Sequence, residues 1–311
     1  QKNTKAQKEW LQPLLEKEGG VADAWSQMAD IKKTEGLLDE AEADYSRAIK
    51  IRGLLHADYS QRALVRIALK NYKGATEDIN VLKKAGLQWP IIGHAEGLIH
   101  YLQKEYDQAQ SKLDAVNSKY TDYPPTQLIL GLVHYQKGNY QNATKLLEQY
   151  VSKAPDAYQP NIILAASSLK TGDPVKAITY LEKLEKSHPN DFRVISLLGN
   201  AHAANNNMDA AIKALNKAVK LKPEEAATRL QLGSALLRGN SAVDQGQKEI
   251  IKAIELDPEL QRAELILFAS YIKDKKIADA RKVAKSIELK KPDSSLGMNL
   301  NAVTYLVEEN K

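Results

Sequence analysis

Three of the six histidines, His100, His134 and His202, stand 34 and 68 residues apart. Imidazoles in register are the first place to look for a metal, because neutral imidazole is the commonest metal ligand. The spacing argues against a shared ion. Residues one period apart on stacked helix pairs are separated by roughly the 8–10 Å of helix packing, whereas a zinc ligand sits about 2 Å from its ion. Each ring therefore reads as a side chain of a packing seam. No Ser, His and Asp stand in a recognisable nucleophile context, and no glycine-rich loop follows a strand pattern. Glu40, Glu42, Asp44, Glu224 and Glu225 lie near helix starts or on solvent faces, where compensating the helix dipole accounts for them. Cysteine is absent, which removes disulfides, thiolate metal sites and cysteine nucleophiles together. No catalytic residue, cofactor or metal is expected, and the chain reads as a protein that is not an enzyme.

The elements carrying these residues are helices. Among 311 residues, 43% apolar, only two are Phe and three Trp, while Ala, Leu, Lys, Glu and Gln abound, so helix formers outweigh strand formers. The 44 basic and 39 acidic residues are interspersed, without the basic stripe and aromatic platforms of a nucleic-acid surface; no nucleic-acid partner is expected. No apolar run approaches the ~20 residues of a membrane span. A first residue of Gln rather than Met fits a fragment or a mature form, and a cysteine-free chain suits the cytosol and a bacterial periplasm equally.

Self-comparison sets the organisation. Gly131 to Pro155, Ala165 to Pro189, Gly199 to Pro223 and Phe268 to Pro292 are each 24 residues apart. Working outward gives eight units of about 34 residues, 22–55, 56–89, 90–123, 124–157, 158–191, 192–225, 226–260 and 261–294, flanked by a half-unit helix at 1–21 and a terminal helix at 295–311. Each unit reads as a helix hairpin. A small residue on the first helix (Ala29, Ala63, Gly97, Gly131, Ala165, Gly199, Gly233, with Phe268 the exception) faces one on the second (Ala41, Ala75, Ala109, Ala143, Ala177, Ala211, Ala280), so that two backbones approach closely. Gly36, Gly138, Gly172, Asn206 and Asn240 occupy the turn, where a left-handed cap is expected; Lys70, Lys104 and Lys275 depart from that residue type. The seventh unit is one residue long, and the surplus is expected in the turn from Asn240 to Asp244.

This pattern resembles the tetratricopeptide repeat (TPR). Trp25 stands at its large fourth position, Leu130-Gly131 and Leu198-Gly199 at its Leu-Gly pair, Tyr72, Tyr106 and Tyr140 at its turn aromatic, and Pro155, Pro189, Pro223, Pro258 and Pro292 at its terminal proline. Gly53, Leu87 and Thr121 replace that proline in the first three units. The resemblance implies an all-α fold, a right-handed α-solenoid of stacked antiparallel helix hairpins forming one array over 1–311. It also implies a concave groove lined by first helices, whose partner-facing positions are the second, fifth, ninth, twelfth and thirteenth of each unit. Carried onto this sequence, those positions give Leu64, Ile67, His94, Leu98, Tyr101, Leu128, Leu132, Tyr135, Gln159 and Ile162, an apolar and tyrosine-rich strip that would bind a protein or peptide segment. Tyr101 and Tyr135 are expected to be solvent-accessible. A carboxylate clamp would need Lys and Asn at these positions in consecutive units, whereas Asn200, Lys170, Arg193 and Arg238 are scattered. The last third also resembles the repeat lipoproteins of exosortase and PEP-CTERM sorting systems in exopolysaccharide-producing bacteria, which implies a periplasmic or envelope setting.

Three readings follow: an interaction scaffold, an envelope version of it serving exopolysaccharide export or protein sorting, and the repeat region of a larger enzyme whose catalytic domain lies outside this chain. The terminal helix is apolar almost all round, Met298, Ala302 and Tyr305 included. It is therefore expected to meet more of the array beyond Lys311, to fray after Ser295, or to pair with a second copy through Met298 and Tyr305.

Overall fold

A computed structural model describes residues 2–17, 21–239 and 242–309, and every regular element among them is an α-helix. The chain divides into two compact units, Gln1–Ala154 and Pro155–Lys311. In the first, α1 (Lys2–Leu15) precedes four hairpins: α2 (Ala22–Thr34) with α3 (Leu38–Arg52), α4 (His56–Ala68) with α5 (Tyr72–Lys84), α6 (Pro90–Leu102) with α7 (Tyr106–Lys119), and α8 (Pro124–Gln136) with α9 (Tyr140–Lys153). The second holds α10 (Tyr158–Lys170) with α11 (Pro174–Ser187), α12 (Phe192–Ala204) with α13 (Met208–Leu221), α14 (Ala226–Gly239) with α15 (Val243–Leu256), α16 (Gln261–Lys273) with α17 (Ile277–Lys290), and then α18 (Leu296–Glu309). Every first helix begins on the first residue of its expected repeat.

One turn chemistry joins the two helices of a hairpin. Gly36, Gly138 and Gly172 take φ of 80°, 76° and 79°, and Asn206, Lys70, Lys104 and Lys275 take 59°, 62°, 63° and 59°. The left-handed turn is thus kept where the residue is lysine, at a cost that a Cβ imposes. Behind it the amide of Leu37 donates to Lys32 O, that of Asn139 to His134 O and that of Lys276 to Tyr271 O, each at 2.9 Å, satisfying carbonyls the helix end would otherwise orphan. Second helices start on side-chain caps at Asn71, Asp173 and Asn207, which satisfy amides left open in the first turn. Asn240 and Ser241 lie outside the described residues. The turn from Asn240 to Asp244, expected to hold the surplus residue of the seventh repeat, falls partly on those two. The helix α14 runs to Gly239, one residue longer than the other first helices, and Val243 and Asp244 already belong to the first turn of α15.

Within a hairpin the small residue of the first helix lies beneath a large one of the second. A Cβ added to Gly97 would come within 2.5 Å of Leu113 Cγ, one on Gly131 within 2.9 Å of Leu147 Cγ, and one on Gly199 within 2.5 Å of Leu215 Cγ. The seventh repeat lacks the second-helix alanine and uses Gly246, where a Cβ would stand 3.0 Å from Gly233 O. The eighth inverts the arrangement: Phe268 on the first helix is buried with Ala280 and Ala284, so the bulk that other repeats place on the second helix here comes from the first. Each such Leu, Ile or Phe contributes roughly 1.5–3 kcal/mol by leaving water.

The first unit also buries charge. Asp78 accepts from Arg62 Nη2 at 2.5 Å and Nε at 3.0 Å and from Arg66 Nη1 at 3.0 Å; Arg66 Nε reaches Glu42 at 2.7 Å. Asp58 accepts from Arg52 Nη2 at 2.8 Å and from Ser26 Oγ at 2.7 Å. These pairs tie the first two hairpins together through groups that need one another once out of water.

Candidate functional site

In the first unit the first helices of successive hairpins touch, α4 against α6 and α6 against α8, as well as packing on their own partners. Their shared face is where the strip falls. Leu64, Leu98, Tyr101, Leu128, Leu132 and Tyr135 are half-buried. Leu64 and Leu98 rest on the core formed by Ala63, Ile79, Leu82 and Ile99, and Tyr101 rests on that of Ala109, Leu113 and Leu130.

The two tyrosines are braced alike. Tyr101 stacks at a tilt on Tyr106, ring centroids 6.1 Å apart, and Tyr135 meets Tyr140 edge-on at 5.6 Å. In both pairs the partner is the turn aromatic, which opens the second helix of the same hairpin. Burial, and then the neighbouring phenol, pushes the Tyr101 and Tyr135 hydroxyls above their ordinary pKa, so both remain neutral donors at physiological pH. A braced ring with a polar tip loses little side-chain freedom on contact, which is why such residues suit binding surfaces.

Two residues expected in the strip are not on the surface. Ile67 is 2% exposed and belongs to the core with Ala63, Ala75 and Ile79. His94 is 6% exposed; its ring lies edge-on to Tyr123 at 5.8 Å, with Nδ1 3.3 Å from Thr126 Oγ1. The next hairpin covers both. Burial pushes the His94 imidazole down to about 4, so it is a neutral core group. In the second unit, taken by itself, Gln159 is exposed, and half-buried Ile162 packs against Ala165, Leu181 and Leu198.

The in-register histidines have separate environments. His134 is buried, and His100 Nδ1 lies 2.6 Å from Glu105 Oε2. Among the described residues no group of three or more His, Cys, Asp or Glu gathers to hold a metal, and no helix is long and apolar enough to cross a membrane.

Tetratricopeptide repeat family models match residues 22–53, 128–192 and 168–232. No curated protein matches the sequence. Among solved structures, the C-terminal part of a TPR repeat-containing protein from Cytophaga hutchinsonii superposes with a TM-score of 0.59 at 20% identity, covering 78% of this chain and 98% of that one. The APC/C hetero-tetramer Cut9–Hcn1 gives 0.52 at 15% identity over 96% of this chain and 58% of its own. MamA from Desulfovibrio magneticus RS-1 gives 0.50 at 22% identity over 55% and 96%. The chain therefore carries tetratricopeptide repeats on an all-α solenoid fold, a scaffold consistent with protein–protein interaction and typically without catalytic activity. None of these matches supports the exosortase resemblance of the last third.

Proposed function

We propose that the protein is a non-catalytic scaffold that holds a segment of a partner protein along the first-helix face of α4, α6 and α8. The observation that carries this reading is the repeated pair Tyr101/Leu98 and Tyr135/Leu132. Two braced phenols and two half-buried leucines are presented one hairpin apart on first helices that touch one another. An apolar face of this kind on a folded protein usually marks a contact site, and an extended or helical segment laid across the hairpins would meet the same chemistry at each step. Replacing Tyr101 and Tyr135 together by Ala should weaken partner binding at least tenfold in a quantitative pull-down from the source cells, with the helical circular dichroism unchanged. Retained binding by the folded double variant contradicts the proposal.

An envelope or periplasmic setting, with a role in exopolysaccharide export or protein sorting, is the further part of this reading; its support is the resemblance of the last third, and cell fractionation tests it. The reading also includes pairing of α18 with a second copy. Met298 and Tyr305 on that helix are 54% and 55% exposed, apolar surface of the kind that favours association. The alternative, the repeat region of a larger enzyme, predicts a catalytic domain in the same reading frame.

A further inference from the structure

The first-helix face of the second unit differs in chemistry from that of the first. At the second, fifth, ninth, twelfth and thirteenth positions of α10, α12, α14 and α16 stand Lys170, Arg193, Arg238, Arg262 and Lys273, and no carboxylate. Three of these cations line one cleft of about 490 Å³ between α14 and α16, together with Leu237, Val243 and Ile266. Arg238 and Arg262 are exposed and form no ion pair with any described residue. The single carboxylate on the lining, Asp274, accepts from Gln247 Nε2 at 2.8 Å and stands 3.9 Å from Lys276 Nζ, so its charge is engaged by neighbouring side chains rather than by the two arginines. Guanidinium groups pair with carboxylates through two parallel hydrogen bonds, and they do so best beside an apolar surface that keeps water away.

We propose that this cleft takes an acidic segment of a partner protein, an apolar side chain seated on Leu237, Val243 and Ile266 and flanking Asp or Glu carboxylates paired with Arg238 and Arg262. Charge complementarity selects this occupant. A nucleic-acid strand would call for an aromatic platform on which bases stack, and the cleft lining contains no aromatic residue. The inference rests on the reading that first-helix faces are the binding faces of this protein, and it assigns to the second unit a ligand class distinct from that of the tyrosine strip.

Selection of a displayed library of random ten-residue peptides on the full chain tests it. The expected result is a class of peptides in which Asp or Glu flanks an apolar residue. A synthetic peptide of that class should bind at least tenfold more weakly to Arg238→Glu/Arg262→Glu, and comparably weakly when its acidic residues are changed to amides. The Tyr101→Ala/Tyr135→Ala variant should bind it as the parent does. Circular dichroism of the charge-reversed chain checks that it folds, and Arg238→Gln/Arg262→Gln provides a milder pair with the same expected direction. Selected peptides without acidic enrichment, or acidic peptides bound equally by the arginine variants, overturn this inference and leave the tyrosine strip standing. If no peptide is enriched on any face, both readings fall.

Discussion

His94 shows how a residue at a surface-facing position of the repeat can become part of the core. Its ring is covered by Tyr123, at the end of its own repeat, and by Thr126 of the following hairpin, and is held neutral, with its pKa pushed down to about 4. The consequence for stability has a definite sign. Between about pH 6.5 and 4 the unfolded chain binds a proton at this site that the folded chain does not, so the native state loses stability as the pH falls through that window and regains it above. Acidification from pH 7 to pH 5 should cost about 2 kcal/mol from this one group, read as a fall in denaturant midpoint. In His94→Gln the same acidification should cost that much less. An identical pH slope in parent and variant would contradict the assignment. Nothing in the sequence around His94 marks it as buried, because the residues that cover it lie about one period further on. Ile67 was illegible for the same reason. Arg238 was visible as an isolated cation, Arg262 was not singled out, and only the packing of α14 beside α16 shows that they line one cleft.

At the scale of the hairpin, the sequence was a good guide wherever packing demands a particular volume. The 34-residue period and the start of each first helix were legible because one small residue per helix must recur wherever two backbones nearly meet. The buried network of Asp78 with Arg62 and Arg66 was not, since charged residues on a helical sequence read as solvent-facing until the second helix has folded back on the first. The exception at Phe268 is informative. Phe268 packs on Ala284 at the position where Ala165 and Leu181 share a core, so large and small have exchanged helices. Phe268→Ala alone should cost about 3–5 kcal/mol, and Ala284→Leu alone should overpack by about 1–3 kcal/mol. The double substitution recreates the Ala165/Leu181 pair and should be more stable than Phe268→Ala alone. Chemical denaturation of all four proteins gives the coupling directly. Losses that simply add would mean that the two side chains do not share a volume.

Over the whole molecule, the two units repeat one hairpin but present different first-helix faces: tyrosine and leucine in Gln1–Ala154, arginine and lysine in Pro155–Lys311. At the C-terminal side of the second unit, α18 packs Leu300 on the Phe268 core and leaves Met298 and Tyr305 exposed. If that surface pairs with a second copy, light scattering should show a mass that rises with concentration and returns to that of a monomer in Met298→Glu/Tyr305→Glu; a strictly monomeric parent would dismiss the pairing. The central claim, that the first-helix face of the first unit holds a partner segment, is tested most directly by photo-crosslinking in the source cells. A photoreactive phenylalanine is placed singly at Leu98, at Leu132 and, as a control on an exposed site of α9, at Gln141. The account predicts one common adduct at Leu98 and Leu132 that is absent at Gln141 and lost when Tyr101 and Tyr135 are both alanine. Equal crosslinking at all three positions, or adducts at Gln141 alone, would contradict it.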